Sequence, residues 1–201
     1  MALCGILESP VRPEFLGDSF DIVKRSLLQW LVACGSWSAH PMFTKRISDQ
    51  QARAFEHLLG VPLLSKSVLT QRTDRDAYFT PARRARTHVF LDPDTGVSLR
   101  ARRGEAAPRY LFRTELASIA SARPDRLTLV FDKSVPRGGE RQALTEKLRT
   151  LASDNLYGVA YVSHACFLLV GRDAALVERA LKAIHRESRL PERRFLRVDA
   201  A

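Results

Sequence analysis

Cysteine is scarce in this chain of 201 residues, and the three cysteines lie far apart. Cys4, Cys34 and Cys166 form no Cys-x-x-Cys pair, and an odd number does not make a closed disulfide framework. None of the five histidines lies at zinc-ligand spacing from another histidine or a cysteine. These absences argue against a disulfide-stapled secreted domain and against a structural zinc site, and they favour a reducing cytoplasm.

Long apolar runs are also missing. The longest apolar stretches are too short to cross a bilayer, and the first residues lack the basic start and apolar core of a signal peptide. We therefore expect a cytoplasmic chain with no membrane partner. With 45% hydrophobic and 27% charged residues, the composition is that of an ordinary globular domain and not of a disordered, collagen-like or coiled-coil chain.

Positive charge is in clear excess. The chain has 32 Lys and Arg residues against 22 Asp and Glu, which gives a formal net charge of +10. Such a charge attracts polyanions and speeds their encounter with the protein. The excess is almost entirely arginine, however, so a biased coding composition with solvated side chains explains it as well. Composition thus favours a nucleic-acid or nucleotide partner and leaves an ordinary solvated surface open.

Helical and extended patterns alternate along the chain. Helices are predicted over 18–33, 48–59, 114–122, 140–152 and 173–186, and strands over 37–43, 88–91, 127–131, 158–162 and 166–170. Residues 1–17 are predicted as a loosely ordered arm before a single domain over 18–201, and 71–87 as a polar mobile loop. Alternating elements predict a Rossmann-like three-layer α/β domain with a mainly parallel sheet. The three-residue link between the last two strands forces a C-terminal antiparallel hairpin.

Two of the predicted strands end in acidic residues followed by a polar loop. Asp92 and Asp94 follow the first, and Asp132 with Lys133 follows the second. Because ligands of open parallel sheets bind at the carboxyl ends of the strands, these four residues are the catalytic candidates. The three carboxylates would orient a substrate or hold Mg²⁺ or Mn²⁺, and Lys133 would steady developing charge. Asp-Pro-Asp-x-Gly is also ordinary turn chemistry, so a structural role stays open.

Arginines near these strand ends are candidates for phosphate contact. The candidates are Arg83, Arg84, Arg102, Arg103 and Arg137. The arginine fork matches phosphate oxygens in pairs, and interleaved aromatic residues could stack on bases. Arg137 lies in a glycine loop before a helix, but this loop matches neither the dinucleotide fingerprint nor the phosphate-binding loop. A solvated loop with its aromatic rings turned into the core remains the alternative.

Two short motifs carry a resemblance to a known family. Residues 17–24, Gly-Asp-Ser-Phe-Asp-Ile-Val-Lys, resemble the opening helix of S-adenosylmethionine-dependent methyltransferases of the ribosomal RNA adenine-N6 and three-Cys-motif partner type. Residues 90–94 are similar to the Asp-Pro-Pro-Tyr strand end of that family, and the later elements follow its order. The resemblance implies an S-adenosylmethionine pocket supported by Asp18 and Lys24, with Asp92 positioning the acceptor.

The chain also departs from that pattern. Residues 41–44, Pro-Met-Phe-Thr, stand where the family has its cofactor-binding glycine loop, and Asp94 and Thr95 replace the second proline and the tyrosine. Three hypotheses follow. The chain is a divergent nucleic-acid- or nucleotide-directed methyltransferase, a Mg²⁺- or Mn²⁺-dependent phosphodiesterase or nuclease, or a non-catalytic nucleic-acid-binding or accessory protein.

Overall fold

A computed structural model describes residues 17–198, so the predicted arm over 1–17 lies outside the described residues except for Gly17. The helices are α1 (Ser19–Trp30), α2 (Asp49–Leu59), α3 (Arg75–Arg84), α4 (Arg113–Ser121), α5 (Glu140–Ala152) and α6 (Ala174–Ser188). The strands are β1 (Trp37–Pro41), β2 (His88–Asp92), β3 (Gly96–Ser98), β4 (Tyr110–Phe112), β5 (Thr128–Asp132), β6 (Tyr157–Tyr161), β7 (Cys166–Gly171) and β8 (Phe195–Arg197).

The main sheet has the strand order β1-β2-β5-β7-β6-β8. Strands β1, β2 and β5 are parallel, and β7 lies antiparallel between β5 and β6. Strand β8 pairs antiparallel with β6, and β3 and β4 form a separate parallel pair. The prediction of a single α/β domain, parallel at its start with a C-terminal antiparallel hairpin, is confirmed.

Helices cover both faces of the sheet. Alternate residues along a strand point to opposite faces, so Phe131 joins the cluster formed with α1, α2 and α6, whereas Val130 joins the cluster formed with α3, α4 and α5. Strands buried on both sides read as continuous apolar runs, as 127–131 does. Over residues 17–198, no helix is long and apolar enough to cross a membrane.

Local signals place the ends of several helices where the sequence predicts them. The Asp18 carboxylate caps α1 by accepting bonds from the backbone nitrogens of Phe20 at 2.8 Å and Asp21 at 3.0 Å. Ser48 and Gln51 form a capping box at the start of α2. Both helices begin within one residue of their predicted starts, at 18 and 48, because a cap depends on residues that are neighbours in sequence.

The prediction of a mobile loop over 71–87 is wrong in its central part. Residues 75–84 form α3, which is capped by Asp74 and buries Tyr78 and Phe79 in the second cluster. The Arg75 guanidinium donates to both carboxylate oxygens of Glu115, so a tertiary ion pair anchors the first turn of the helix. Such distant partners outweigh the polar local composition.

Candidate functional site

The carboxyl ends of four strands meet at one edge of the sheet, which we call the strand-end edge. It is formed by the ends of β1, β2, β5 and β6, at Pro41, Asp92, Asp132 and Tyr161. The first turn of α1 reaches the same edge, because the Phe20 ring lies 5.6 Å from the Phe131 ring and 5.5 Å from the His164 ring. The edge is therefore formed by residues that are far apart in the sequence.

A buried cluster of three charges lies at the end of β2. The Lys24 ammonium donates to Asp92 Oδ2 at 2.9 Å and to Asp21 Oδ1 at 3.0 Å. The second Asp21 oxygen accepts the Gly17 backbone N–H at 3.0 Å, and the Lys24 nitrogen lies 4.7 Å from the centroid of the Phe131 ring. All three charged residues are buried. Two carboxylates thus share one ammonium group in a buried environment with little access to solvent.

The pKa values of this cluster follow from burial and from that shared charge. Burial lowers the pKa of Lys24, but the attraction and hydrogen bonds of Asp92 and Asp21 outweigh it, and the pKa is raised above its ordinary value. Burial raises the pKa of Asp92, Lys24 opposes this, and the neighbouring Asp21 charge adds to it. Lys24 therefore stays cationic, and Asp92 takes up a proton more readily than an exposed aspartate.

A second buried ion pair lies at the end of β5. The Lys147 ammonium donates to Asp132 Oδ2 at 2.5 Å and to Ser134 Oγ at 2.7 Å. The Ser134 hydroxyl and backbone N–H donate to Asp132 Oδ1 at 2.6 Å and 3.0 Å. Sequence reasoning missed Lys147. The sequence feature that could have identified this residue is a lysine on the buried face of α5, at helical spacing from Leu144 and Leu151.

Asp94 is held by a third cation. The Arg109 Nε–H donates to Asp94 Oδ2 at 2.6 Å, and the Lys133 ammonium lies 3.9 Å from Asp94 Oδ1. The Asp94 side chain is buried, whereas Lys133 remains 42% exposed. Lys133 is therefore the member of the predicted catalytic set that reaches solvent.

The three acids predicted to hold a metal ion are paired with cations instead of with one another. Asp92, Asp94 and Asp132 lie at one edge, but within residues 17–198 no group of three His, Cys, Asp or Glu side chains is placed to hold a metal ion. Each carboxylate is paired with a different cation, from Lys24, Arg109 and Lys147 respectively. The arrangement offers no shared set of oxygens to Mg²⁺ or Mn²⁺.

The residues assigned to S-adenosylmethionine by resemblance do not fit that role directly. The Asp18 carboxylate is used as the cap of α1, and the Lys24 ammonium is taken by two carboxylates. After β1, where the family has its glycine loop, Met42 and Phe43 are buried side chains. The Met42 N–H donates to the Asp92 carbonyl at 3.1 Å, which holds this segment against the end of β2.

The predicted phosphate-binding arginines separate into two groups. Arg102, Arg103 and Arg137 are exposed on loops that follow strand ends, and Arg102 stacks over the Tyr110 ring at 4.6 Å. Arg83 instead folds back on Asp76. Arg84 ends the helix that leads into the start of β2, away from the strand-end edge. The structure thus does not bring Arg83 and Arg84 to the site, because α3 runs towards the opposite edge.

An open cleft of ≈ 310 Å³ lies beside the Asp94–Arg109 pair. Its lining consists of Thr44, Leu69, Thr70, Gln71, Glu105, Pro108 and Arg109. Within the described residues, the buried Thr44 hydroxyl has no hydrogen-bond partner. The cleft therefore combines an apolar wall with hydroxyl, amide and guanidinium groups. Sequence reasoning missed it because its residues come from three segments that form no motif.

Comparison of the chain with protein-family models, with curated proteins and with solved structures gave no match.

Proposed function

We propose that this chain is a nucleic-acid- or nucleotide-directed α/β enzyme, a divergent methyltransferase-like protein with its ligand in the cleft at the strand-end edge. The observation that carries the proposal is the position of this cleft. It opens beside the Asp94–Arg109 pair, past the ends of β1 and β2, where open parallel sheets bind their ligands. Leu69 and Pro108 offer a wall to a flat ring, and Gln71 offers hydrogen bonds to its edge.

The charges around the edge support a phosphate-bearing ligand. Exposed cations lie on the loops after β3 and β5, namely Arg102, Arg103, Lys133 and Arg137. The strand-end acids Asp92, Asp94 and Asp132 are buried and paired with cations within the fold, so they offset this exposed charge only in part. A phosphate approaching the edge therefore meets exposed cations rather than exposed carboxylates.

The comparison with methyltransferases rests on the order of elements along the second half of the chain. The elements α4, β5, α5 and the β6–β7 hairpin follow one another in the order of helix, strand, helix and terminal hairpin that the resemblance implies. Asp18 caps a helix and Lys24 is held in ion pairs, so neither residue is assigned a role in methyl transfer. A non-catalytic binding protein is the second candidate, and the engagement of all three strand-end carboxylates favours it.

A binding titration tests the proposal. The probe is a fluorescent single-stranded RNA, measured by anisotropy over a series of salt concentrations. We expect Arg103→Gln and Arg137→Gln each to lower the slope of log affinity against log salt by about 0.7, the value for one phosphate contact on a single strand. We expect Gln71→Ala to weaken binding at every salt concentration without changing the slope, because Gln71 is uncharged.

The matched control is Arg84→Gln, which removes an exposed arginine away from the strand-end edge. An unchanged slope in this variant supports the assigned edge. Equal loss in Arg84→Gln and Arg137→Gln, or no RNA binding at low salt, contradicts the proposal. Calorimetric titration with S-adenosylhomocysteine then separates the two candidates, since micromolar binding supports a methyltransferase and absence of heat supports a binding protein.

A further inference from the structure

A second groove lies on α6, away from the strand-end edge. It is lined by Ala33, Cys34, Leu176, Arg179, Lys182, Ala183 and Arg186 and has a volume of ≈ 440 Å³; we call it the α6 groove. One wall is the short turn Val32–Cys34, which precedes the start of β1. The start of β1 lies at the edge opposite to the strand ends, so this groove is independent of the proposed function.

The rim of the α6 groove is positively charged. Arg179, Lys182 and Arg186 are spaced so that they share one face of α6, and the lining contains no acidic residue. Two surface acids come near: Asp173 lies 4.0 Å from Arg179, and Glu187 lies 2.8 Å from Arg186. Exposed pairs of this kind hold their cations weakly. Between residues 17 and 198, Lys182 has no ion-pair partner.

The floor of the groove is apolar. It consists of Ala33, Leu176 and Ala183 together with the half-buried Cys34. A phosphodiester backbone has nothing to place on such a floor. A peptide that carries acidic and apolar side chains satisfies both the rim and the floor, because interfaces bury an apolar centre inside a polar rim.

We propose that the α6 groove is a docking site for an acidic, amphipathic peptide segment of a partner protein. One apolar side chain of the segment rests on Leu176 and Ala183. Carboxylates on either side of it pair with Lys182 and Arg186. The complementarity of charge selects the acidic peptide, and the apolar floor sets the spacing of its residues.

The test uses a synthetic peptide of repeated Glu-Glu-Leu units as the probe. Binding is measured by anisotropy and by protection of the Cys34 thiol from a thiol reagent in a Cys4→Ser background. Labelling is done at alkaline pH, because burial raises the pKa of Cys34. We expect the peptide to slow Cys34 labelling several-fold. We expect the double variant K182E/R186E to bind it at least tenfold more weakly.

Three controls make the outcome decisive. Arg53→Glu reverses an exposed charge on α2 and should leave peptide affinity unchanged, and circular dichroism checks that every variant is folded. A peptide of Glu-Glu-Ser units has the same charge without leucine, and equal affinity for it contradicts the apolar floor. Protection of Cys34 by single-stranded RNA but not by the peptide, lost in K182E/R186E, overturns the proposal in favour of a nucleic-acid surface.

Discussion

Buried cations at Lys24, Lys147 and Arg123 hold separate parts of this molecule together. The two lysines neutralise the acids at the ends of β2 and β5. The Arg123 guanidinium lies near the first residues of β2 and β5, where it donates to the Thr128 hydroxyl at 2.6 Å and to the Thr87 carbonyl at 3.2 Å. Burial lowers the pKa of Arg123 to about 10, so it remains charged at neutral pH.

We expect Lys24→Met to be strongly destabilising. The substitution leaves Asp21 and Asp92 buried without their counter-charge, and breaking one side of a buried pair costs about 3–5 kcal/mol. The free energy of unfolding is measured by urea denaturation. Arg25→Met, at the exposed neighbouring position, is the control and should change stability by no more than about 0.5 kcal/mol. Equal losses in the two variants contradict a stabilising role for the cluster.

At the scale of elements, the short strand β3 is fitted against the end of β5. Gly96 begins β3 with φ of +134°, a conformation that residues with a Cβ rarely adopt. A Cβ at this position would overlap the Asp132 carboxylate. The Ser134 hydroxyl, which also contacts the Val97 carbonyl at 3.2 Å, links the Asp132–Lys147 pair to the same strand. The ion pair and the strand are therefore positioned together.

Gly96→Ala should lower stability through both strain and overlap. Backbone strain alone costs about 1–3 kcal/mol, and moving the Asp132 carboxylate from Lys147 adds to it. The control is Gly60→Ala, because Gly60 also has a positive φ, of 72°, but open space where its Cβ would be. Thermal or urea unfolding should show a larger loss for Gly96→Ala. Matching losses would show that the close packing against Asp132 contributes nothing.

At the scale of the whole molecule, two buried histidines make the stability of the fold depend on pH. Burial lowers the pKa of His40, whose Nδ1 has no partner within the described residues. Burial also lowers the pKa of His88. The hydrogen bond to the Cys34 carbonyl opposes this change, and the positive charges of Arg126 and Arg123 add to it. The His88 Nδ1 accepts the Leu127 backbone N–H at 2.9 Å, so the neutral ring joins β2 to the start of β5.

These shifts predict a loss of stability in acid. A histidine whose pKa is lowered by folding binds its proton more readily in the unfolded chain. Its contribution to stability is therefore fully present above the pKa of the unfolded chain, and it is lost as the pH falls towards the pKa of the folded state. Each such histidine contributes a slope of at most about 1.4 kcal/mol per pH unit. Asp92, with its raised pKa, acts in the opposite direction, so variants are compared rather than the whole curve.

The measurement is the unfolding free energy of His88→Gln and wild type between about pH 7 and pH 5. We expect a smaller loss of stability on acidification in His88→Gln than in wild type. His57→Gln, at an exposed histidine, is the control and should follow the wild-type profile. Parallel curves for all three proteins contradict the assignment of this pH dependence to His88.

The predicted site was only partly recoverable from sequence. Asp92 and Asp132 were identified because an acid that ends an apolar strand must lie at the strand-end edge. Arg84 lies away from the strand-end edge, because residues that flank a strand in sequence can lie at opposite edges of the sheet. Sequence reasoning missed Lys147 because its partner, Asp132, lies on another element, and no local pattern indicates a buried ion pair.

The amino-acid sequence by itself determined most of the helices and the longer strands, the hairpin, and the caps at Asp18 and Ser48, because each depends on residues within a few positions of one another. It did not determine α3 or the short strands β3, β4 and β8. Only the tertiary structure decided which cation neutralises which acid. Lys24 reaches Asp92 across 68 residues, and the same fold occupies the three carboxylates separately. An ion pair buried in a core depends on three-dimensional proximity, which the order of residues does not specify.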